Sequence, residues 1–263
     1  MKLENIVREQ IVKSLDYLKE DRELCEEIQT RLCVLGLLPD KGIDGLYGPQ
    51  TKEAFEQFKQ ITYEANPDTL GAGSAKKLLE TKELHDHNLV SKSQAEQIYG
   101  NSISNEQLRD LNLCLNRFKI STYNRICHFI SQTAEESGGL RYMSELADGR
   151  DYEGSRKLGN THLGDGPKYK GAGVIQVTGR NNYQALANYL KDPRVMEGVK
   201  YVSKKYPFTS AGFWWHQNEM NSLCDRNASV KEITRRVNGG LNGLPQRQAY
   251  YNKAKKVFSD RSL

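Results

Sequence analysis

No stretch of the 263 residues approaches the roughly 18 consecutive apolar residues that a membrane-spanning helix needs. With a mean hydropathy of −0.71, the chain is expected to be soluble, with no membrane insertion. Histidine is scarce, five residues in all. His85 and His87 flank Asp86, but no third ligand stands in a comparable setting, so HDH reads as a solvated turn and neither metal nor cofactor is expected. The five cysteines are odd in number and form no C-x-x-C pair. Cys25, Cys33, Cys114, Cys127 and Cys224 therefore read as reduced, mostly buried thiols rather than a disulfide frame or zinc site. The glycines of Gly171-Ala172-Gly173 are not followed by G-K-[ST] and open no dinucleotide pattern, which argues against a nucleotide site. The first twenty residues lack the uninterrupted apolar core and small-residue cleavage site of a secretory signal. The chain is accordingly expected to be made in a cytoplasm without a Sec signal. A net charge of +5 and a pI near 8.8 fit a polyanionic partner; without a nucleic-acid-binding motif, no nucleic-acid partner is expected.

What the chain does have is helical periodicity interrupted by polar, glycine-rich loops. In MKLENIVREQIVKSLDYLKE the residues Leu3, Val7, Ile11, Leu15 and Leu18 predict one amphipathic helix. From residue 26, Ile28, Leu32 and Leu35 form one stripe and Ala54, Phe55 and Phe58 another. Between them Pro39, Gly42, Asp44, Gly45 and Gly48 mark a tight loop that Thr51 closes. After Glu80 the sequence turns polar and reads as a linker.

The stretch FISQTAEESGGL, residues 129–140, organises the rest. Ile126, Phe129 and Ile130 predict a buried helical stripe, and Glu136 falls two turns past Phe129 on that face, just before Gly138 and Gly139 end the helix. An inward carboxylate must be paired, held protonated or placed in a cleft, and the last two suit a general acid. The loop that follows is too long for an ordinary connection. It carries Glu145, Asp148, Asp151, Glu153 and Asp165, any of which could supply a second carboxylate. VIQVTGRNNY then offers Gln176, Thr178, Asn181 and Asn182, amides and a hydroxyl that match sugar hydroxyls without charge. Of Trp214 and Trp215 in AGFWWHQ, core positions are the first expectation.

Two resemblances become specific on these residues. Over about residues 20–80 the chain resembles the small three-helix peptidoglycan-binding domain of wall hydrolases, its D-G-x-x-G-x-x-T loop present as Asp44, Gly45, Gly48 and Thr51. That loop is largely structural in the family, and the resemblance implies wall binding nearby. From about 95 to 258 the chain resembles glycoside hydrolase family 19, the chitinase and endolysin group, through FISQTAEESGG, YEGSRKLGNT, GDGPKYKGAGVIQVTGRNNY, AGFWW and ITRRVNGG in family order.

The resemblances imply a mainly α architecture: residues 1–80 a peptidoglycan-binding domain with an N-terminal helix, 81–94 a linker, and 95–263 a lysozyme-like, two-lobed catalytic domain. Glu136 matches the general acid. Glu153 matches the general base, with Glu145 the alternative and otherwise a substrate-binding candidate. Thr178 would hold the water, while Gln176, Asn182, Tyr183, Asn238 and Arg247 would line the substrate site. The family's usual His before the catalytic Glu is Glu135 here, and its G-R-G is Gly171-Ala172-Gly173. The expected activity is inverting hydrolysis of the β-1,4 bond between N-acetylmuramic acid and N-acetylglucosamine by a monomeric endolysin released through a holin pore. A chitinase and a non-catalytic wall-binding protein are the alternatives.

Overall fold

Caps and left-handed glycines divide the chain into short helices. The structure, a computed structural model, describes residues 1–62, 68–82 and 88–259; the His85-Asp86-His87 reading lies outside the described residues. The chain separates into two compact units, Met1–Asp86 and His87–Leu263.

The first unit contains α1 (Leu3–Arg8), α2 (Arg22–Val34), α3 (Pro49–Ile61) and α4 (Ala72–Glu80). A two-residue antiparallel ladder joins β1 (Lys13–Ser14) to β2 (Thr69–Leu70), with Lys13 opposite Leu70. Its core packs Ile28 and Leu32 of α2 against Phe55 and Phe58 of α3, with Leu3, Ile6 and Leu78 closing it.

The expected continuous N-terminal helix is broken. α1 ends at Arg8, Gln10 takes a left-handed conformation at φ 53°, and the chain then pairs with β2 before a short 3-10 turn at Leu15–Lys19. Leu3, Leu15 and Leu18 are buried even so. Burial rather than helical phase is what that stripe recorded, because ladder pairing competes with the helix for the same backbone groups.

The Asp44–Thr51 loop is built on one side chain. Gln29, fully buried on α2, receives the amides of Asp44 and Gly45 on Oε1 at 3.1 and 2.8 Å. Its Nε2 donates to Asp44 Oδ1, Leu46 O and Thr51 Oγ1 at 2.8, 3.1 and 2.9 Å. Asp44 also accepts from the Leu46 amide. Asp44, Gly45 and Thr51 therefore spend their polar groups on folding the loop rather than offering them to a ligand.

In the second unit, α5 (Lys92–Tyr99), α6 (Asn105–Arg117) and α7 (Tyr123–Glu136) precede the long loop. Serine caps start α5 and α6: Ser91 and Ser104 pair reciprocally with Gln94 and Gln107. Helix α5 thus begins inside the stretch read as linker. Helix α7 is the core element, burying Ile126, Phe129, Ile130 and Ala134. The loop after it is ordered by a four-residue helix, α8 (Asp165–Lys168), and by Asp165, buried beneath the guanidinium of Arg180 with Nε donating at 2.8 Å. Then follow α9 (Arg180–Leu190), α10 (Val199–Lys205), α11 (Thr209–Gln217), α12 (Met220–Asp225), α13 (Val230–Asn238) and α14 (Leu244–Phe258), the last packed along α7. Asp110 of α6 accepts the amides of Phe208 and Thr209 and so caps α11 from a distance.

Replacing Gln29 with Leu should strip the loop of five hydrogen bonds and leave buried amides unpaired, costing the first unit about 3 kcal/mol or more. Native-state hydrogen exchange would detect this as lost protection at the Gly45 amide, with that of the α7 amides unchanged.

Candidate active site

Helix α7 ends where it does because of the residues just past it. Ser137 Oγ donates to Thr133 O and accepts the Leu140 amide, while Gly138 and Gly139 turn the chain through φ 57° and 70°. A Cβ at Gly139 would lie 2.5 Å from the Tyr99 carbonyl oxygen, so only glycine fits. Glu136 is left at the last helical position.

Its carboxylate is both paired and placed in a cleft. Arg247 on α14, 2% exposed, donates Nη2 to Glu136 Oε1 at 2.6 Å, Nη1 to Gln132 Oε1 at 2.7 Å and Nε to the Asn242 carbonyl at 3.1 Å. All three guanidinium nitrogens have partners, so Arg247 holds Glu136 in position from behind. Sequence reading expected Arg247 to touch substrate; its burial makes it a positioning residue instead. Glu135 lies partly buried beside Gly243, at the start of α14. Burial raises its pKa, Arg247 partly offsets that, and Glu136 adds to it.

Glu136 borders a cleft of about 340 Å³. Gln176, Thr178, Asn182 and Asn238 contribute amides and a hydroxyl to the wall, and Trp214 and Gln217 of α11 add an aromatic face and a further amide. The turn that presents Gln176 is unusual: the residue sits at φ 58°, its Nε2 donates to Gly173 O at 2.9 Å, and its buried Oε1 has no partner among the described residues. Left-handed geometry at a non-glycine residue costs energy that the surrounding structure must offset. Thr178 Oγ1 donates to Gln176 O at 2.8 Å, and Asn182 Nδ2 to Thr178 O at 2.7 Å.

Neither candidate for the second carboxylate is itself a wall of this cleft, but their settings differ. Isolated bridges pair Ser144 with Ala172 and Ala172 with Val177, so the strand-like segment of Glu145 lies one step from the wall residues 176–178. Glu145 Oε2 accepts the Gly171 amide at 3.0 Å and Oε1 accepts Tyr152 OH at 2.9 Å. A Cβ on Gly171 would crowd Gln176 Oε1 at 2.6 Å and Glu145 Cβ at 3.2 Å, which keeps these side chains adjacent. Glu153, the match for the base, has both oxygens committed elsewhere: Oε1 accepts Gly164 N at 2.6 Å and Oε2 accepts Gly166 N at 2.8 Å. It braces the loop that leads into α8. Tyr183 is not in the site either; it is fully buried, donates to Lys170 O at 2.6 Å and packs edge-on against Tyr169.

Sequence reading did not single out Gln132, Gln217 or Leu158. Gln132 lies one turn before Glu136 on the same face, and Gln217 lies three residues past Trp214, so helical spacing from the flagged residues could have found both. Of the tryptophans, Trp214 lines the cleft, whereas Trp215 is buried, edge-on to Phe129, with its indole N–H on Asn221. Among the described residues no group of three His, Cys, Asp or Glu side chains could hold a metal.

Known proteins share this architecture. No protein-family model matches the chain. A Haemophilus influenzae protein described as a glycosyl hydrolase family 19 domain-containing protein is 37% identical over 110 residues, 41% of this chain. The match spans only about half, 51%, of that relative. Chitinase C from Streptomyces griseus superposes with a TM-score of 0.52 at 19% identity, covering 65% of this chain and 77% of that one. A bacterial family 19 chitinase gives a TM-score of 0.53 at 18% identity, with 66% and 96% covered. About two thirds of the chain therefore shares the helical fold of these solved chitinases.

Because burial holds Glu135's pKa up, its ionised form opposes folding. The native state keeps the proton to higher pH than the unfolded chain, so stability is greatest below the ordinary carboxylate pKa and falls as pH rises through the raised value. Glu135→Gln should then stabilise the protein at pH 7 and confer no gain near pH 3. Urea denaturation at the two pH values measures this; equal gains at both would show that the charge is not the cause.

Proposed function

We propose that the chain is an inverting glycoside hydrolase acting on β-1,4-linked N-acetylated glycan. We further propose that its substrate is the bond between N-acetylmuramic acid and N-acetylglucosamine in peptidoglycan, cut in the manner of an endolysin. The observation that carries the hydrolase reading is Glu136, held by a buried arginine at the edge of a cleft otherwise lined by amides, a hydroxyl and apolar side chains. Such walls match the hydroxyl and acetamido groups of a neutral sugar, and a lone carboxylate among them is placed for proton transfer to a leaving oxygen.

In this reading Arg247 orients Glu136 through Oε1, and Oε2 carries the proton to the glycosidic oxygen. Glu145 takes the base role in preference to Glu153 because its segment is bridged to the one that carries the cleft wall residues 176–178, whereas Glu153 braces the loop that leads into α8. Thr178 already donates its hydroxyl hydrogen to Gln176 O, so it can only accept from the nucleophilic water. That water then gives one hydrogen to Thr178 and the other to Glu145, directing a lone pair at the anomeric carbon. Inverting enzymes hold their two carboxyls roughly 6.5 to 9.5 Å apart to admit such a water. What favours peptidoglycan is the first unit's likeness to a peptidoglycan-binding domain through Asp44, Gly45, Gly48 and Thr51. What favours the second reading, a chitinase, is the similarity to solved structures that are themselves chitinases; the same carboxylates would serve.

Digestion of purified sacculi and of colloidal chitin, with mass spectrometry of the products, tests both. Muropeptides with new reducing ends and intact stems are expected from sacculi; chito-oligosaccharides alone would make the protein a chitinase. Glu136→Gln and Glu145→Gln should each lower turnover by about 10² to 10⁴, while Glu153→Gln should retain the chemistry and loosen the loop. Near-normal activity in Glu145→Gln would remove it from the mechanism.

A further inference from the structure

The positive charge of the chain is concentrated in one short stretch. Residues 226–258 hold eight arginines and lysines against one acidic residue, Glu232. That excess of seven is larger than the +5 of the whole chain, so the remaining residues are together slightly acidic. Arg247, one of the eight, is buried against Glu136. Lys231 and Arg235, on α13, are exposed and form no ion pair among the described residues. Glu232 does not neutralise them: its Oε2 accepts the amide and the hydroxyl of Ser229, each at 2.7 Å, in the capping box that starts α13. Arg235 adds to the field at that carboxylate without closing on it.

Helical phase places these cations beside the cleft. Lys231, Arg235 and Asn238 stand at i, i+4 and i+7, which puts them on one face of α13, while Val230, Ile233 and Thr234 are buried on the other side. Asn238 is itself a wall of the cleft at Glu136. At a rise of 1.5 Å per residue, Arg235 lies roughly 4.5 Å and Lys231 roughly 10 Å back along the helix axis from Asn238. The basic face therefore begins at the cleft wall, and a polymer lying in the cleft can continue onto it. Complementarity to the helix dipole accounts for Arg235 in the last turn of α13 but not for Lys231 in the first, where a cation is disfavoured.

We propose that Lys231 and Arg235 bind the stem-peptide carboxylates of the strand whose glycan occupies the Glu136 cleft, and so select peptidoglycan over chitin. The proposal rests on the peptidoglycan reading above. Both polymers offer N-acetylated sugars to the amides and hydroxyl of the cleft, and only peptidoglycan carries carboxylates beside them. Neutral walls cannot separate the two by charge, whereas cations at the rim can.

The test uses the full chain and soluble peptidoglycan strands whose diaminopimelate amines are acetylated, with the stem carboxylates either left free or amidated by carbodiimide and ammonium. New reducing ends give kcat/KM on each. At low salt the strands with free carboxylates should be cut at least about fivefold better, and the preference should collapse at high salt. Lys231→Gln with Arg235→Gln should bring the preference close to unity, chiefly through KM. Lys253→Gln with Lys256→Gln removes as much charge from exposed positions roughly two turns past Arg247 on α14, and should keep it. Because the preference is a ratio measured within one protein, a loss of folded material in a variant cancels. No preference in the unsubstituted chain, a preference indifferent to Lys231 and Arg235, or equal loss in both double variants would overturn the proposal and leave the peptidoglycan reading standing. It is equally overturned if the α13 variant loses only its retention on phosphatidylglycerol vesicles, which would make the face a membrane contact. Should the unsubstituted chain release no reducing ends from either strand, the peptidoglycan reading fails and takes the proposal with it.

Discussion

The ion pair between Arg247 and Glu136 ties the packing of the second unit to its chemistry. A guanidinium that is 2% exposed must satisfy its nitrogens inside the protein, and here it does so with Glu136, Gln132 and the Asn242 carbonyl. That requirement fixes α14 against α7, because the three acceptors lie on α7 and on the turn just before α14. Shifting either helix along the other would cost the buried charge its partners. The carboxylate at the cleft is thereby held by the helix pair that also buries Phe129, Ala134 and Phe258. Position and stability are two results of one contact.

The remainder of the cleft depends on backbone geometry more than on burial. The bridges Ser144–Ala172–Val177 and the left-handed Gln176 form a compact turn in which Gly171 leaves room for the side chains of Glu145 and Gln176. Its polar contacts run largely from side chain to main chain. Glu145 and Glu153 both accept backbone amides, yet one stands beside the cleft wall and the other braces a loop.

This difference explains which parts were legible in sequence. Helix α7 and its inward carboxylate were readable because apolar spacing and the Gly138-Gly139 stop are local signals. The D-G-x-x-G-x-x-T pattern was readable as a tight loop, and Gln29 is why: the pattern serves a side chain some fifteen residues earlier. The choice between Glu145 and Glu153 was not readable, since both lie in one long loop and only the bridge to residues 171–177 separates their environments. Tyr183 was misplaced because its neighbours are polar and its own burial comes from Tyr169. The N-terminal helix was over-extended because Leu3, Leu15 and Leu18 keep a helical interval while reaching the core from different elements.

The Gln29 side chain has a wider consequence. A carboxamide is chemically a peptide unit, with one carbonyl and one N–H₂ on a planar frame. In the first unit it takes the place that a neighbouring strand's main chain would fill, and the loop at Asp44–Leu46 hydrogen-bonds to it as though to a strand edge. A single residue therefore acts as a gauge block between α2 and the loop. Asparagine would stop a methylene short, and glutamate would lose all three donated bonds while matching the length. The loop's tolerance for change is then uneven: outward-facing Leu46, 65% exposed, can vary freely in side chain, whereas the spacing from Gln29 to Thr51 is set by the reach of one amide.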